Sequence, residues 1–216
     1  MFTGLTQAVG TISQNNENIK IEGSEKLLPL SIGESIAVDG VCLTVIEFTN
    51  NNFLANVSEE TLEKTTLGIK ARNNRYVNLE PALKLSDRIG GHLVSGHIDC
   101  QGEVCSINKL SSSWEIIIKL CNQDLNRYIC QKGSICIDGI SLTIANLLDD
   151  GNTFSTAVIP HTWLNTSLMF MKKGDLVNLE TDLIAKYTER ILMKSSSNET
   201  RKETIDKSWL RNHGWI

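Results

Sequence analysis

The stretch VDGVCLTV, residues 38–45, returns ninety-nine positions later as IDGISLTI, residues 137–144. No other feature of the chain constrains its fold as much. Three further blocks repeat in the same order. MFTGLTQAVGTI (1–12) matches LVSGHIDCQGEV (93–104) at an offset of 92. FLANVSEETLEKTTLG (53–68) matches FSTAVIPHTWLNTSLM (154–169) at an offset of 101, and YVNLEPAL (76–83) matches LVNLETDL (176–183) at an offset of 100. Small insertions account for the drift. The sequence therefore reads as two copies of one unit of roughly 90 residues, followed by a tail. The expected division is 1–90, 91–182 and 183–216.

Each copy reads as β. Apolar residues alternate in SIAVDGVCLTVIEF and in SICIDGISLTIANL, with β-branched residues common. The dipeptides Asp39-Gly40 and Asp138-Gly139 signal two-residue hairpins, because type I′ turns need positive φ at both central residues. Short strands at regular spacing predict an all-β chain of small closed barrels. One short helix per copy is expected, around EETLEKTT and around PHTWLNTS, where Pro160 suits a first helical turn.

The hairpin fixes which side chains share a face. A two-residue turn pairs Val38 with Val41 and Ile36 with Leu43, and period two adds Val45 to that side. Cys42 and Thr44 then share the opposite face. In the second copy Ile135, Ile137, Ile140, Leu142 and Ile144 lie on one side, with Ser141 and Thr143 on the other. The Cys42/Ser141 difference thus falls on an outward polar face, toward solvent, a ligand or another barrel.

Composition narrows the function classes. The net charge of −4, without a long basic block, argues against nucleic acid. No apolar run is long enough to span a membrane, and the first residues do not read as a signal peptide. The six cysteines show no CxxC and no zinc-site spacing, so they are expected as reduced thiols in a cytoplasmic compartment.

Taken together, MFTG, DGVCLTV, DGISLTI, GGHLVSGHID (90–99) and the doubled VNLE resemble the riboflavin synthase family, of the α-subunit type with two lumazine-binding repeats. The resemblance runs from residue 1 to about 190. It implies two similar six-stranded Greek-key β-barrels and a C-terminal α-helix that joins three chains into a homotrimer. It implies that two molecules of 6,7-dimethyl-8-ribityllumazine exchange a four-carbon unit, giving riboflavin and 5-amino-6-(ribitylamino)uracil. No metal or redox cofactor is implied. Lumazine synthase is a candidate partner. The substrates would meet between the N-terminal barrel of one subunit and the C-terminal barrel of another.

Carried over by motif, one pocket takes Gly4, Leu5 and Thr6, then Cys42, Leu43 and Thr44. To these it adds Asn56, Val57, Ser58, Glu59, Glu60 and Thr61, with Gly96, His97 and Ile98. The other takes Lys132, then Ser141, Leu142 and Thr143, and the segment Ile159, Pro160, His161, Thr162, Trp163 and Leu164. The two long segments fall at nearly the same place in the repeat. The catalytic candidates are His97, Cys42, Ser141, Thr143 and Asp182. His97 is an acid–base group or only a hydrogen-bonding ring. Cys42 is a nucleophile or a small polar wall, and Ser141 and Thr143 bind the ring or a water. Asp182 matches an acidic family position and also suits a helix N-cap. His92 reads as structural, and Trp163 as core or pocket wall.

In the tail, Leu183, Ile184, Tyr187 and Ile191 form one apolar helical stripe that suits a trimer contact. The polar stretch 194–204 is expected to be mobile, and the ending with Trp209 and Trp215 matches no family motif. Two rivals share the sequence pattern: a lumazine- or flavin-binding antenna protein without turnover, and a barrel scaffold without a small ligand.

Overall fold

The computed structural model describes residues 1–198 and 207–215. The first copy folds as strands β1 (Ala8–Asn15), β2 (Asn18–Glu22), β3 (Ser35–Val38), β4 (Val41–Phe48), β5 (Asn52–Asn56) and β6 (Tyr76–Pro81). The second follows as β7 (Cys100–Lys109), β8 (Trp114–Leu120), β9 (Ser134–Ile137), β10 (Ile140–Leu148), β11 (Thr153–Val158) and β12 (Leu176–Thr181). Each copy closes into a six-stranded antiparallel barrel. Going round from its first strand, the first runs β1-β2-β5-β4-β3-β6 and the second β7-β8-β11-β10-β9-β12, the same order. Closure removes the unpaired edges that an open sheet of this size would expose.

The expected hairpins form in the expected register: Val38 opposes Val41, Ile36 opposes Leu43, and Ile137 opposes Ile140. Asp39 and Gly40 have φ of 46° and 79°, Asp138 and Gly139 of 44° and 79°, the left-handed conformation of a type I′ turn. The repeat extends to a bulge. Register slips between Val45 and Glu47 in β4 and between Ile144 and Asn146 in β10. Each slip re-aims the strand at the same place.

Inward residues fill each barrel. Phe53, Ile12, Ile36, Leu43, Val45 and Leu79 build the first core. Phe154, Ile116, Ile118, Ile135, Leu142 and Leu179 build the second. The first copy carries two short helices, α1 (Glu59–Lys64) and α2 (Leu67–Arg72), where one was expected. The second carries α3 (Pro160–Leu164), with Pro160 in its first turn, and only a 3-10 turn where α2 would be. Buried Leu67 and Ala71 anchor the extra helix to the first core.

The barrels meet about a local two-fold axis, marked by residues that touch their own repeat counterparts. Phe2 and Val94 exchange backbone hydrogen bonds of 2.8 and 3.1 Å, and the turn glycines Gly40 and Gly139 abut so closely that a Cβ on either would lie 2.9 Å or less from the other's backbone nitrogen. Asn78 Nδ2 donates to the Asp138 carbonyl at 2.8 Å, and Asn178 Nδ2 donates to the Asp39 carbonyl at 2.9 Å. The Asn178 and Asn78 side-chain oxygens accept from Thr66 N and Ser167 N, both at 2.7 Å.

One side chain breaks the symmetry. Lys70 Nζ bridges Asp39 at 2.6 Å and Asp138 at 2.8 Å, whereas its counterpart at the offset of 101 is Met171. Burial pushes the Asp39 carboxyl up to about 7, Lys70 pulls it down, and Asp138 adds to the rise. Burial also works against the Lys70 charge, but the two carboxylates outweigh it and hold the ammonium above the ordinary lysine range.

The C-terminal part is a unit of its own, Ile184–Ile216. Its helix α4 spans Leu183–Asn198, and α5 spans Lys207–Asn212. The apolar stripe falls on α4, with Ile184, Tyr187 and Ile191 each more than 60% exposed. Part of the stretch expected to be mobile is thus helical, and its remainder from residue 199 lies outside the described residues. Among the described residues no helix is long and apolar enough to cross a membrane.

Candidate functional site

β4 and β10 present the polar pairs as the alternation requires. Cys42 and Ser141 are half-buried, Thr44 and Thr143 are exposed, and Leu43 and Leu142 point into the cores. Only the backbone of the two leucines is therefore open to the outer face.

Two chain segments lie across these faces. The first is the arm Met1–Thr6, the second its repeat counterpart 93–98. Gly4 lies against the opposite barrel: its carbonyl accepts from Ser141 N at 2.8 Å. The Gly96 carbonyl likewise accepts from Cys42 N at 2.9 Å. Both glycines have positive φ, 76° and 87°. A Cβ on Gly4 would lie 2.6 Å from Ser141 Cβ, and one on Gly96 would lie 2.5 Å from Cys42 Cβ. Only glycine permits this approach.

The sequence-derived residues therefore gather in two groups. At Cys42 stand Thr44, Gly96, His97 and Ile98. Thr44 pairs with Asn56 at the end of β5, which brings in 57–61. There Val57 packs on the core and Ser58 Oγ accepts from Thr61 N to cap α1. Glu59 is exposed, and Glu60 is held by Lys64 at 2.6 Å. At Ser141 stand Thr143 and Gly4, with Leu5 and Thr6 following in the arm. Lys132, with φ of 67°, donates from its N–H to the Ile144 carbonyl at the end of the same face. Ile159, Pro160, His161 and Leu164 are exposed after β11. Thr162 gives its carbonyl to Thr166 Oγ1, and Trp163 stacks on Trp114 with ring centres 4.9 Å apart. Gly4, carried over with the Cys42 set, is thus found with Ser141.

The imidazole that reaches a catalytic candidate is His92. Its Nδ1 lies 2.7 Å from Ser141 Oγ, and among the described residues its buried Nε2 finds no partner. Burial holds the His92 pKa below the ordinary histidine value, while Asp182 and Glu180 oppose that shift. His97, five residues on, is exposed and donates its backbone N–H to Glu180 at 3.1 Å. Asp182 directly precedes α4.

Sequence reading gave no role to Glu80 and Glu180, the glutamates of the doubled VNLE. Glu80 accepts from Thr3 N, Thr3 Oγ1 and Gly4 N at 2.7–3.0 Å. Glu180 accepts from Ser95 N, Ser95 Oγ, Gly96 N and His97 N at 2.6–3.1 Å. Burial raises the Glu80 pKa, and the N–H groups it accepts from oppose the rise. A signal was there: both strands carry Asn and Glu on the face where solvent-exposed strands vary, at a fixed offset of 100.

A cavity of about 790 Å³ opens between the barrels beside Lys70, Tyr76, Phe170 and Asp175, and none of the candidate residues lines it. On the candidate faces Thr44, Thr143 and His97 are exposed. No three His, Cys, Asp or Glu converge as a metal-binding group among the described residues.

Two closed barrels about a local two-fold, each with a polar pair under an arm from the other repeat, define a duplicated barrel protein. The lumazine binding domain family matches residues 3–82 and 95–182. The chain is 42% identical to the riboflavin synthase of Actinobacillus pleuropneumoniae and 38% identical to that of Bacillus subtilis (strain 168), in each case over all of both chains. LumP complexed with 6,7-dimethyl-8-(1'-D-ribityl) lumazine has the same fold, with a TM-score of 0.72 and 24% identity over 84% of this chain and 99% of that one. This chain belongs to the riboflavin synthase family and is an enzyme of it.

Proposed function

We propose that the chain converts two molecules of 6,7-dimethyl-8-ribityllumazine to riboflavin and 5-amino-6-(ribitylamino)uracil, the last step of riboflavin formation. The observation that carries this reading is the doubled site. A reaction between two identical molecules needs two like seats, and Cys42–Thr44 and Ser141–Thr143 are equivalent to the register of a bulge. LumP, the solved structure of like fold, was crystallised with that lumazine.

We place the reaction where the first barrel of one subunit faces the second barrel of another, in a homotrimer joined through the exposed apolar stripe of α4. Two rings pressed together there would exclude water. Positioning alone can supply about 7–11 kcal/mol of effective molarity. One lumazine loses a 7-methyl proton, and the other accepts the resulting carbon nucleophile. At the Ser141 seat, uncharged His92 holds Ser141 Oγ and offers Nε2 to the substrate or its proton, and Asp182 steadies the ring if it becomes charged. At the Cys42 seat, His97 on its Glu180-held backbone faces outward toward the partner ring. Cys42 serves there as a ligand contact. Six free thiols fit a reducing, cytoplasmic compartment.

The test is to mix purified protein with 6,7-dimethyl-8-ribityllumazine alone. Riboflavin fluorescence with stoichiometric pyrimidine release is expected. Binding without turnover would make it an antenna protein, and no binding would make it a scaffold. Removal of 183–216 should dissociate the trimer and lower turnover; a fully active monomer would refute the intersubunit site.

A further inference from the structure

The glutamates of β6 and β12 occupy places where a strand buried on both faces ordinarily carries apolar side chains. A buried carboxylate costs several kcal/mol unless donors surround it. Here the donors are the arms. Glu80 takes three hydrogen bonds from Thr3 and Gly4, and Glu180 takes four from Ser95, Gly96 and His97. Charge-assisted bonds of this length fix an arm more firmly than neutral ones.

Each arm faces two ways. Its N–H groups turn to the glutamate of its own barrel, and its glycine carbonyl turns to the hairpin strand of the other. Gly4 receives the Ser141 N–H, and Gly96 receives the Cys42 N–H. A peptide group held rigidly on one side has one place for its carbonyl on the other. Gly4 and Gly96 leave no room for a side chain that could take up slack.

We propose that Glu80 and Glu180 are positioning residues connected crosswise: Glu80, in the first barrel, sets the seat at Ser141 in the second, and Glu180, in the second, sets the seat at Cys42 in the first. This rests on the reading that those two strands seat substrate. Each barrel thereby depends on the other for the geometry of its site. Glu180 also fixes the His97 backbone, so the Cys42 seat and its exposed imidazole are set by one carboxylate.

Amide hydrogen exchange on the full-length, ligand-free protein tests the connection without any turnover. In Glu80→Gln, exchange at Ser141 N–H should quicken at least about tenfold relative to Cys42 N–H, the size of one lost charge-assisted bond. Glu180→Gln should do the reverse. If either variant fails to fold, Thr3→Val and Ser95→Ala remove one hydroxyl donor each and should give the same crossed pattern at roughly threefold. Loosening of the same-barrel hairpin, or of both hairpins equally, overturns the proposal, whether or not the protein turns over lumazine.

Turnover gives the second readout. The loss in Glu80→Gln should be non-additive with Ser141→Ala and additive, within about twofold, with Cys42→Ala. For Glu180→Gln the pairing exchanges. Additivity in all four combinations would leave the glutamates as scaffold only. If wild-type protein makes no riboflavin, the functional reading fails and the exchange data still decide the crossed connection.

Discussion

The Cys42 and Ser141 seats share a strand, a bulge, an arm and a glycine, and they differ in their histidines. At Ser141 a half-buried imidazole touches the hydroxyl at 2.7 Å, with Asp182 acting on it. At Cys42 the imidazole, His97, is exposed and tied down by its backbone. On the proposed reading, duplication supplies two seats for like molecules, and the segment 90–98, which places one histidine at each, makes the seats unlike. A donor and an acceptor of the same chemical formula can be told apart only by such a difference.

The largest expected effect tests the symmetric frame. Lys70→Met, which makes the position match Met171, should lower stability by about 3–5 kcal/mol at pH 7, because two buried carboxylates lose their common cation. Denaturant unfolding measures it. The loss should shrink at pH 5, where Asp39, its pKa raised by burial, holds a proton.

Next come the arms. Gly4→Ala and Gly96→Ala should each cost about 2–4 kcal/mol, from positive φ plus a collision with a neighbouring Cβ. Similar values would confirm equivalent arms; a tolerated Gly4→Ala would break the comparison.

Then come the histidines. His92→Asn should slow turnover by about 10²-fold, and His97→Asn by less. Because burial lowers the His92 pKa, the neutral ring persists to lower pH. The acid limb of turnover should therefore fall below the ordinary histidine value near 6.5. An acid limb above that value would remove His92 from the proton path.

Another effect concerns the axis. Burial pushes the Asp39 carboxyl up to about 7 in the folded chain, well above its ordinary value of 3.8. The folded state therefore holds a proton that the unfolded state has lost, and stability should fall as pH rises from about 4 to 7. Asp39→Asn should flatten that slope. Last, Cys42→Ser makes the hairpins alike at their one chemical difference. It should change turnover by no more than about threefold, since a hydroxyl fills the thiol's place as a polar wall. Abolished turnover would instead make the thiol a nucleophile.

Much of the fold was legible in the residues. Period two placed Leu43 and Leu142 inside and Cys42 and Ser141 outside, Asp-Gly marked both hairpins, and Pro160 marked a helix start. The second short helix, α2, was not legible, because its N-cap, Thr66, follows directly on α1 and makes no side-chain cap bond, and the helix forms by packing Leu67 and Ala71 on a core that only the closed barrel provides. The site was legible in part. His97 stood out beside Gly96, whereas His92 read as structural. Its contact with Ser141 spans forty-nine residues and depends on the chain crossing from one barrel to the other.

The sequence by itself determined the duplication, the strand faces and the family, because these follow from local periodicity and from order along the chain. Only the tertiary structure decided that the arms lie on each other's barrels, that one lysine serves two aspartates, and that buried glutamates hold the arms. Those arrangements join groups from 31 residues apart, Lys70 and Asp39, to 137 apart, Gly4 and Ser141, and no local pattern encodes which of several matching partners a repeated segment will choose.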